Sequence, residues 1–189
     1  MNKKAVQILI AGLVLLSLSR FAAAQDTIPY VPSPMHVVQK MIEVADIKKG
    51  DVLYDMGSGD GRIVIEAAKK YGVRGVGVDL NPDLVAKARE NANNEGVSHL
   101  VEFRAQDGLT VDISEATVVT LYMFKWFNNA LKPKLQKLKP GSRIVAHDFD
   151  IDDWKPTRIE YVQQPQDGSD YAESRTLYIW VVGETPAMP

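Results

Sequence analysis

The chain has 189 residues, of which 46% are apolar, 24% charged and 8% aromatic, a globular composition that excludes disorder, collagen and a simple coiled coil. Its 22 basic and 24 acidic residues give a formal charge of −2, so a large duplex-binding surface is not expected. With no cysteine, disulfides, thiol nucleophiles and thiolate zinc sites are excluded together.

Residues 1–24 read as a separate object. Lys3-Lys4 gives a basic head, Ala5 to Leu18 is an apolar run, and Ala22-Ala23-Ala24 precedes Gln25. That order is a secretory signal peptide or an uncleaved anchor; a first helix of the fold is disfavoured because the run has no polar face. Either signal puts the domain outside, periplasmic or held at the outer side of the inner membrane, with possible membrane proximity. An unused signal leaves it cytoplasmic. Removal takes away Lys3, Lys4 and Arg20 and no acid, which leaves 165 residues and a charge of −5.

Residues 25–50 form an N-terminal segment and helix. Ser33-Pro34 starts the helix with a side-chain cap, and Val38, Met41, Ile42 and Ala45 carry its buried stripe. The main domain spans 51–183, with a short tail at 184–189. Strands are expected at 51–56, 75–79, 101–105, 117–122 and 143–146. Helices are expected at 63–71, at 81–96 with Asn81 as cap, and at 124–138, where Pro133 kinks or splits the last one. Segments 158–162 and 176–182 close the chain as an antiparallel hairpin, because the connection before them is too short for a parallel crossover. The fold class is therefore α/β, a doubly wound, Rossmann-like, mostly parallel seven-stranded sheet with a C-terminal antiparallel hairpin. Such sheets bind ligands beyond the carboxyl ends of their strands.

The loop after the first of these strands carries most of the chemistry. Asp55 stands two residues before Gly57-Ser58-Gly59-Asp60-Gly61, a G-x-G-x-G spacing rather than the G-x-G-x-x-G of a dinucleotide site. Two acids suit pyrophosphate poorly and a zwitterion well: the amides take a carboxylate while Asp55 faces an ammonium. S-adenosylmethionine (SAM) carries both groups. Asp79 ends the second strand, 20 residues after Gly59, and an acid there accepts from ribose hydroxyls. Gln106-Asp107 ends the third, where a carboxylate accepts from an adenine amine while Leu80 holds the ring. Each feature alone has an ordinary reading, as a turn or a cap; their order along three strand ends makes the case.

Asp55 to Arg62, Val78-Asp79 and Gln106-Asp107 resemble the successive motifs of class I, seven-stranded SAM-dependent methyltransferases. Pro29-Tyr30-Val31-Pro32-Ser33-Pro34 and Gly77-Val78-Asp79-Leu80-Asn81-Pro82 add a narrower likeness. Together they resemble the small lysine methyltransferase family whose animal members act on mitochondrial membrane proteins, and its bacterial relatives. The resemblance implies SAM as cofactor and methyl transfer to a protein lysine. A small-molecule N- or O-methyltransferase and a SAM-binding module without turnover are the rival readings. No nucleic acid partner is expected, and the sequence gives no oligomeric state.

Acceptor walls are expected from Tyr30, from Tyr122 and Met123 with Lys125 and Trp126, and from His147-Asp148-Phe149. Aromatic faces favour a sulfonium and an ammonium, and His147 or Asp148 is a candidate base. Tyr122, Phe124, Trp126 and Phe127 have a plain core reading, and Lys125, His36 and His99 read as surface. The histidines lack ligand spacing and no metal is expected; the run Asp148, Asp150, Asp152, Asp153 suits a basic substrate or a hard cation, though its spacing is not that of a calcium loop.

Overall fold

The computed structural model describes residues 30–163 and 174–185. The expected signal segment 1–24, the loop between the last two strands and most of the 184–189 tail lie outside them. The chain divides into units 1–31 and 32–189. Of the first, only Tyr30 and Val31 are described, and both are exposed.

Helix α1 (Met35–Val44) leads into β1 (Val52–Met56), α2 (Arg62–Tyr71), β2 (Arg74–Asp79), α3 (Pro82–Asn94) and β3 (Val101–Ala105). Then come β4 (Val118–Leu121), α4 (Lys125–Leu135), β5 (Arg143–His147), β6 (Arg158–Val162) and β7 (Arg175–Val181). The strands form one sheet in the order β3-β2-β1-β4-β5-β7-β6. The first five run parallel, and β7 lies antiparallel between β5 and β6. The order reverses between β1 and β4, which puts the crevice of such a sheet at their carboxyl ends.

Alternation along the strands feeds two cores. Leu53, Val118 and Val145 face α1 to α3, through Val38, Met41, Ile42, Val64, Ala68 and Val85. Tyr54, Met56, Val119, Leu121, Ile144 and Trp180 face the other way, onto Phe127, Leu131 and Leu135 of α4. Both faces being covered, the central strands are almost wholly apolar. A polar side chain there is informative, and Asp55 and Thr120 are such cases.

Two local expectations are corrected. Ser33 does not cap α1. Pro34 holds the N-cap position in an extended conformation, and its carbonyl accepts from the amides of Val37 and Val38. The Ser33 hydroxyl bonds elsewhere. Pro133 does not split α4; it lies two residues from the helix end, and Gln136 N still donates to Lys132 O at 3.0 Å. One missing amide near a terminus is tolerated where the same loss at mid-helix is not. Asn81 caps α3 as expected, accepting from the Asp83 amide at 2.9 Å, with Pro82 behind it.

The edge opposite the crevice is pinned by Asp51. Arg143 pairs with it and also donates from Nε to Ala45 O at 2.9 Å, tying β5 to the end of α1. Asp51 accepts as well from Thr117 Oγ1 at 2.7 Å and from the Lys48 amide at 2.7 Å. Burial alone would raise this carboxyl, but the hydrogen bonds from Arg143, Thr117 and Lys48 outweigh it and hold it below the ordinary range. A depressed acid stabilises the fold above about pH 4, and that contribution is lost as pH falls through the lower folded value. Asp51→Ala should cost about 3 kcal/mol in urea unfolding at pH 7, since it leaves Arg143 without its partner. The gap from the parent should narrow below about pH 4; a gap constant down to about pH 3 would contradict the assignment.

Candidate active site

At the carboxyl end of β1 the backbone turns through Gly57, Gly59 and Gly61, with φ of 79°, 53° and 80°. Only glycine takes these values freely. Space decides two of the positions as well. A Cβ on Gly57 would lie 2.3 Å from Met123 Sδ, and one on Gly61 2.7 Å from the Phe103 ring. The loop folds back on β2: the Gly57 and Ser58 amides both donate to Val78 O, at 2.8 and 3.0 Å. Asp79 then fastens it, with Oδ2 accepting from Gly59 N at 2.8 Å and Oδ1 from Asn81 N at 2.9 Å. Each oxygen keeps a lone pair for a further donor.

Asp55 is buried at the base of this loop. Sheet register sets it opposite Thr120 on β4, and Thr120 Oγ1 donates to its carboxylate at 2.7 Å. Among the described residues no cation pairs with it. Burial raises its pKa to about 7; the Thr120 bond opposes this, and the charges of Asp79 and Asp60 add to it. Asp60 itself turns outward to a two-point pair with Arg62, at 2.6 and 2.9 Å. The Ser58 hydroxyl is buried without a partner among the described residues.

Beyond β2 and β3 the groups are open. Leu80 is 72% exposed. The Gln106 amide donates to Asp79 O at 3.0 Å, joining the ends of β3 and β2. Asp107 is exposed, with one oxygen accepting from Leu109 N at 2.9 Å and the other unused among the described residues.

The ends of β4 and β5 form an aromatic group. Tyr122 stacks on His147 with ring centroids 3.9 Å apart. Phe149 lies 6.4 Å from Tyr122, and Phe124 meets Phe149 edge-on at 5.6 Å. Phe127 is core, whereas Trp126 is 55% exposed. Tyr122 is a protonated phenol: burial and the Asp148 charge raise its pKa, and Arg175 opposes them.

Neither expected base is both exposed and unpaired. His147 is wholly buried, and burial lowers its pKa to about 4 against the opposing charge of Asp148. Asp148 accepts from Thr176 N at 3.0 Å on one oxygen and from Arg175 Nη1 at 3.0 Å on the other, so it is an ion-paired carboxylate. Tyr30 is exposed and lies in the other unit. Lys125 is a half-exposed charge at the start of α4, and its ammonium pairs with Asp150 at 2.9 Å and Asp152 at 2.6 Å, two of the four acids in the run. His99 is exposed, while the Nε2 of His36 is buried. Among the described residues no cluster of acids and histidines is arranged to hold a metal.

Reading the sequence missed Thr120 and Ser33. Thr120 had a signal, a lone hydroxyl in an apolar strand. Ser33 had none, since its partner His147 lies 114 residues away.

Residues 55–158 match the ANTKMT methyltransferase domain. The chain belongs to this family. A protein-lysine N-methyltransferase of Saccharolobus islandicus (strain REY15A) is 43% identical over 159 residues, covering 83% of this chain and 95% of the relative. The adenine nucleotide translocase lysine N-methyltransferase of Mus musculus is 33% identical over 134 residues, and the match spans 70% of this chain and 58% of that relative. A crystal structure described as an RNA methyltransferase from Salinibacter ruber, in complex with S-adenosyl-L-homocysteine, is 49% identical with a TM-score of 0.71, covering 84% of this chain and 98% of that one. The chain is a SAM-dependent methyltransferase. Its residues fit that cofactor: a buried Ser58 hydroxyl without a partner and a buried acid, Asp55, with no cation paired to it among the described residues.

The ANTKMT-family domain keeps the Asp55 proton up to about pH 7. An acid with a raised folded pKa stabilises the free fold at low pH, and that contribution is lost as pH climbs from about 4 through 7. Binding a cationic ligand should run the other way, because it needs the carboxylate. SAM affinity measured by calorimetry should rise roughly tenfold from about pH 6 to 7.5 and release a proton. Asp55→Asn should bind weakly with a flat profile. A flat profile in the parent would contradict a protonated Asp55.

Proposed function

We propose that this enzyme transfers the methyl group of SAM to the ε-amine of a protein lysine. The observation that carries the reading is the match along 95% of a protein-lysine N-methyltransferase at 43% identity. The aromatic group at the ends of β4 and β5 supports it.

In this reading the buried Ser58 hydroxyl, which has no partner among the described residues, meets the carboxylate of the methionyl end and Asp55 holds its ammonium; the amides of Gly57, Ser58, Gly59 and Gly61 shape the loop by bonding to Val78, Asp79 and Ser58. Asp79 accepts from the ribose, and Leu80 with Gln106-Asp107 receives the adenine. When bound, SAM supplies a methyl group already activated by a sulfonium. Tyr122 and its aromatic neighbours form the acceptor wall, which attracts an alkylammonium by its ring faces and strips water from it. Desolvation favours the neutral amine that attack requires. The proton leaves to water, since His147 is buried and Asp148 is paired with Arg175. The Tyr122 phenol orients the amine as a hydrogen-bond partner.

The charge balance speaks against an RNA acceptor, the class named for the Salinibacter ruber structure. Binding a phosphate backbone needs a basic surface. Here acids outnumber bases, and Lys125 beyond β4 is already paired twice. The intact glycine loop favours turnover over a sensing module.

The test is tritium transfer from methyl-labelled SAM into soluble and envelope extracts, with hydrolysis and identification of the labelled residue. Label in methyl-lysine is expected; label in nucleotides, lipids or small metabolites would overturn the reading. Asp79→Ala should lose roughly 5- to 150-fold in SAM affinity, because ligand hydroxyls are left unpaired. Tyr122→Ala should lower turnover while SAM affinity stays near that of the parent. A Tyr122→Ala protein with parental turnover and a stability loss of about 3 kcal/mol would reduce Tyr122 to packing. We further infer export from the basic head and apolar run of residues 1–24. Mass spectrometry of the protein from its host should find Gln25 as the first residue, or an intact Met1 on membrane-anchored chain; an intact Met1 on soluble cytoplasmic chain would contradict export.

A further inference from the structure

Ser33 sits just before α1 and is almost fully buried. It is held at two points by residues far apart in the chain. Its carbonyl accepts from Arg62 Nη1 at 2.9 Å, and Arg62 grips Asp60 inside the glycine loop. Its hydroxyl meets His147 Nδ1 at 2.9 Å, and Tyr122 is stacked on that same imidazole. A continuous path of contacts thus runs from the loop through Ser33 to the aromatic wall.

The other imidazole nitrogen fixes the direction of the bond. His147 Nε2 is buried with no hydrogen-bond partner among the described residues, and Asp148 Oδ2 lies 3.5 Å from it. An N–H is favoured where a carboxylate is nearest, so the proton belongs on Nε2 and Nδ1 accepts from the Ser33 hydroxyl. We propose that Ser33 is a positioning residue: its hydroxyl locks the His147 ring in one tautomer and orientation, and that ring holds Tyr122 in register with the glycine loop. The inference rests on the reading of Tyr122 as acceptor wall. A neutral imidazole is consistent with it; burial, Arg175 and His36 disfavour the charged form and Asp148 favours it. Removing a donor to the neutral ring should move the titration upward.

The test uses the full chain and the variants Ser33→Ala, Ser33→Thr and Tyr122→Ala. The readouts are kcat and SAM KM for transfer to poly-L-lysine, and the ring resonances of His147 and Tyr122 with S-adenosyl-L-homocysteine bound. Ser33→Ala should lower kcat about tenfold or more, the scale of a small misplacement at a reacting centre. SAM KM should change by less than about threefold, because the carbonyl leg to Arg62 remains. His147 should lose its single tautomer and titrate at higher pH, and Ser33→Thr should restore rate and spectrum. An unchanged imidazole spectrum and rate in Ser33→Ala overturns the proposal, as does a rate loss that Ser33→Thr leaves in place. A slowed Tyr122→Ala beside an unaffected Ser33→Ala overturns this inference alone. A Tyr122→Ala protein at parental rate overturns the acceptor-wall reading and this inference with it. The spectra decide even if poly-L-lysine is a poor probe.

Discussion

A carboxyl group with no cation of its own, sealed between two central strands, sets the terms for the rest of this structure. Burying an acid is expensive unless a partner arrives, and Thr120 supplies only one neutral hydrogen bond to Asp55. Arg62 is spent on Asp60, and Lys125 on Asp150 and Asp152. In the proposed reading the ammonium of the ligand completes the charge of this site. The parallel sheet makes this possible: register puts Thr120 opposite Asp55, and the return of the loop onto Val78 brings Asp79 against Gly59.

Much of this was legible in the sequence because the signals were local. Glycines at positive φ, Asn81-Pro82 as a helix start and apolar runs between them are read within a few residues. The order of loop, Asp79 and Asp107 followed once the strands were placed, because a parallel sheet lines up successive carboxyl ends. The acceptor side was less legible for the opposite reason. Whether an aromatic is wall or core depends on what covers it, so Phe127 and Trp126, adjacent in sequence, fall on different sides of that line. His147 looked like a base because histidine often is one; the ring of Tyr122 and the strand beneath it close it off. Asp148 looked free because Arg175 is 27 residues away. Ser33 was misread as a cap for the same reason, its partner being distant.

The closed state of His147 and Asp148 changes what the acceptor side can do. In the proposed reading, deprotonation of an incoming amine falls to desolvation and water rather than to a relay through these two side chains. Specificity then comes from shape and aromatic faces, which suits an exposed side chain on a large substrate. The family match over residues 55–158 covers the cofactor motifs and both strand ends of the aromatic group. It does not reach Ser33, so the tie between α1 and β5 must be tested in this chain.

The central claim is that the glycine loop and Asp55 read the zwitterionic end of SAM. Calorimetry with S-adenosyl-L-homocysteine, 5′-methylthioadenosine and NAD at about pH 7.5, above the Asp55 titration, tests it most directly. Methylthioadenosine keeps the adenine and ribose but lacks the ammonium and carboxylate. It should bind about 10- to 150-fold more weakly than S-adenosyl-L-homocysteine, the loss expected for hydrogen bonds to charged groups, and NAD should not bind measurably. Equal affinity for methylthioadenosine and S-adenosyl-L-homocysteine would contradict the claim.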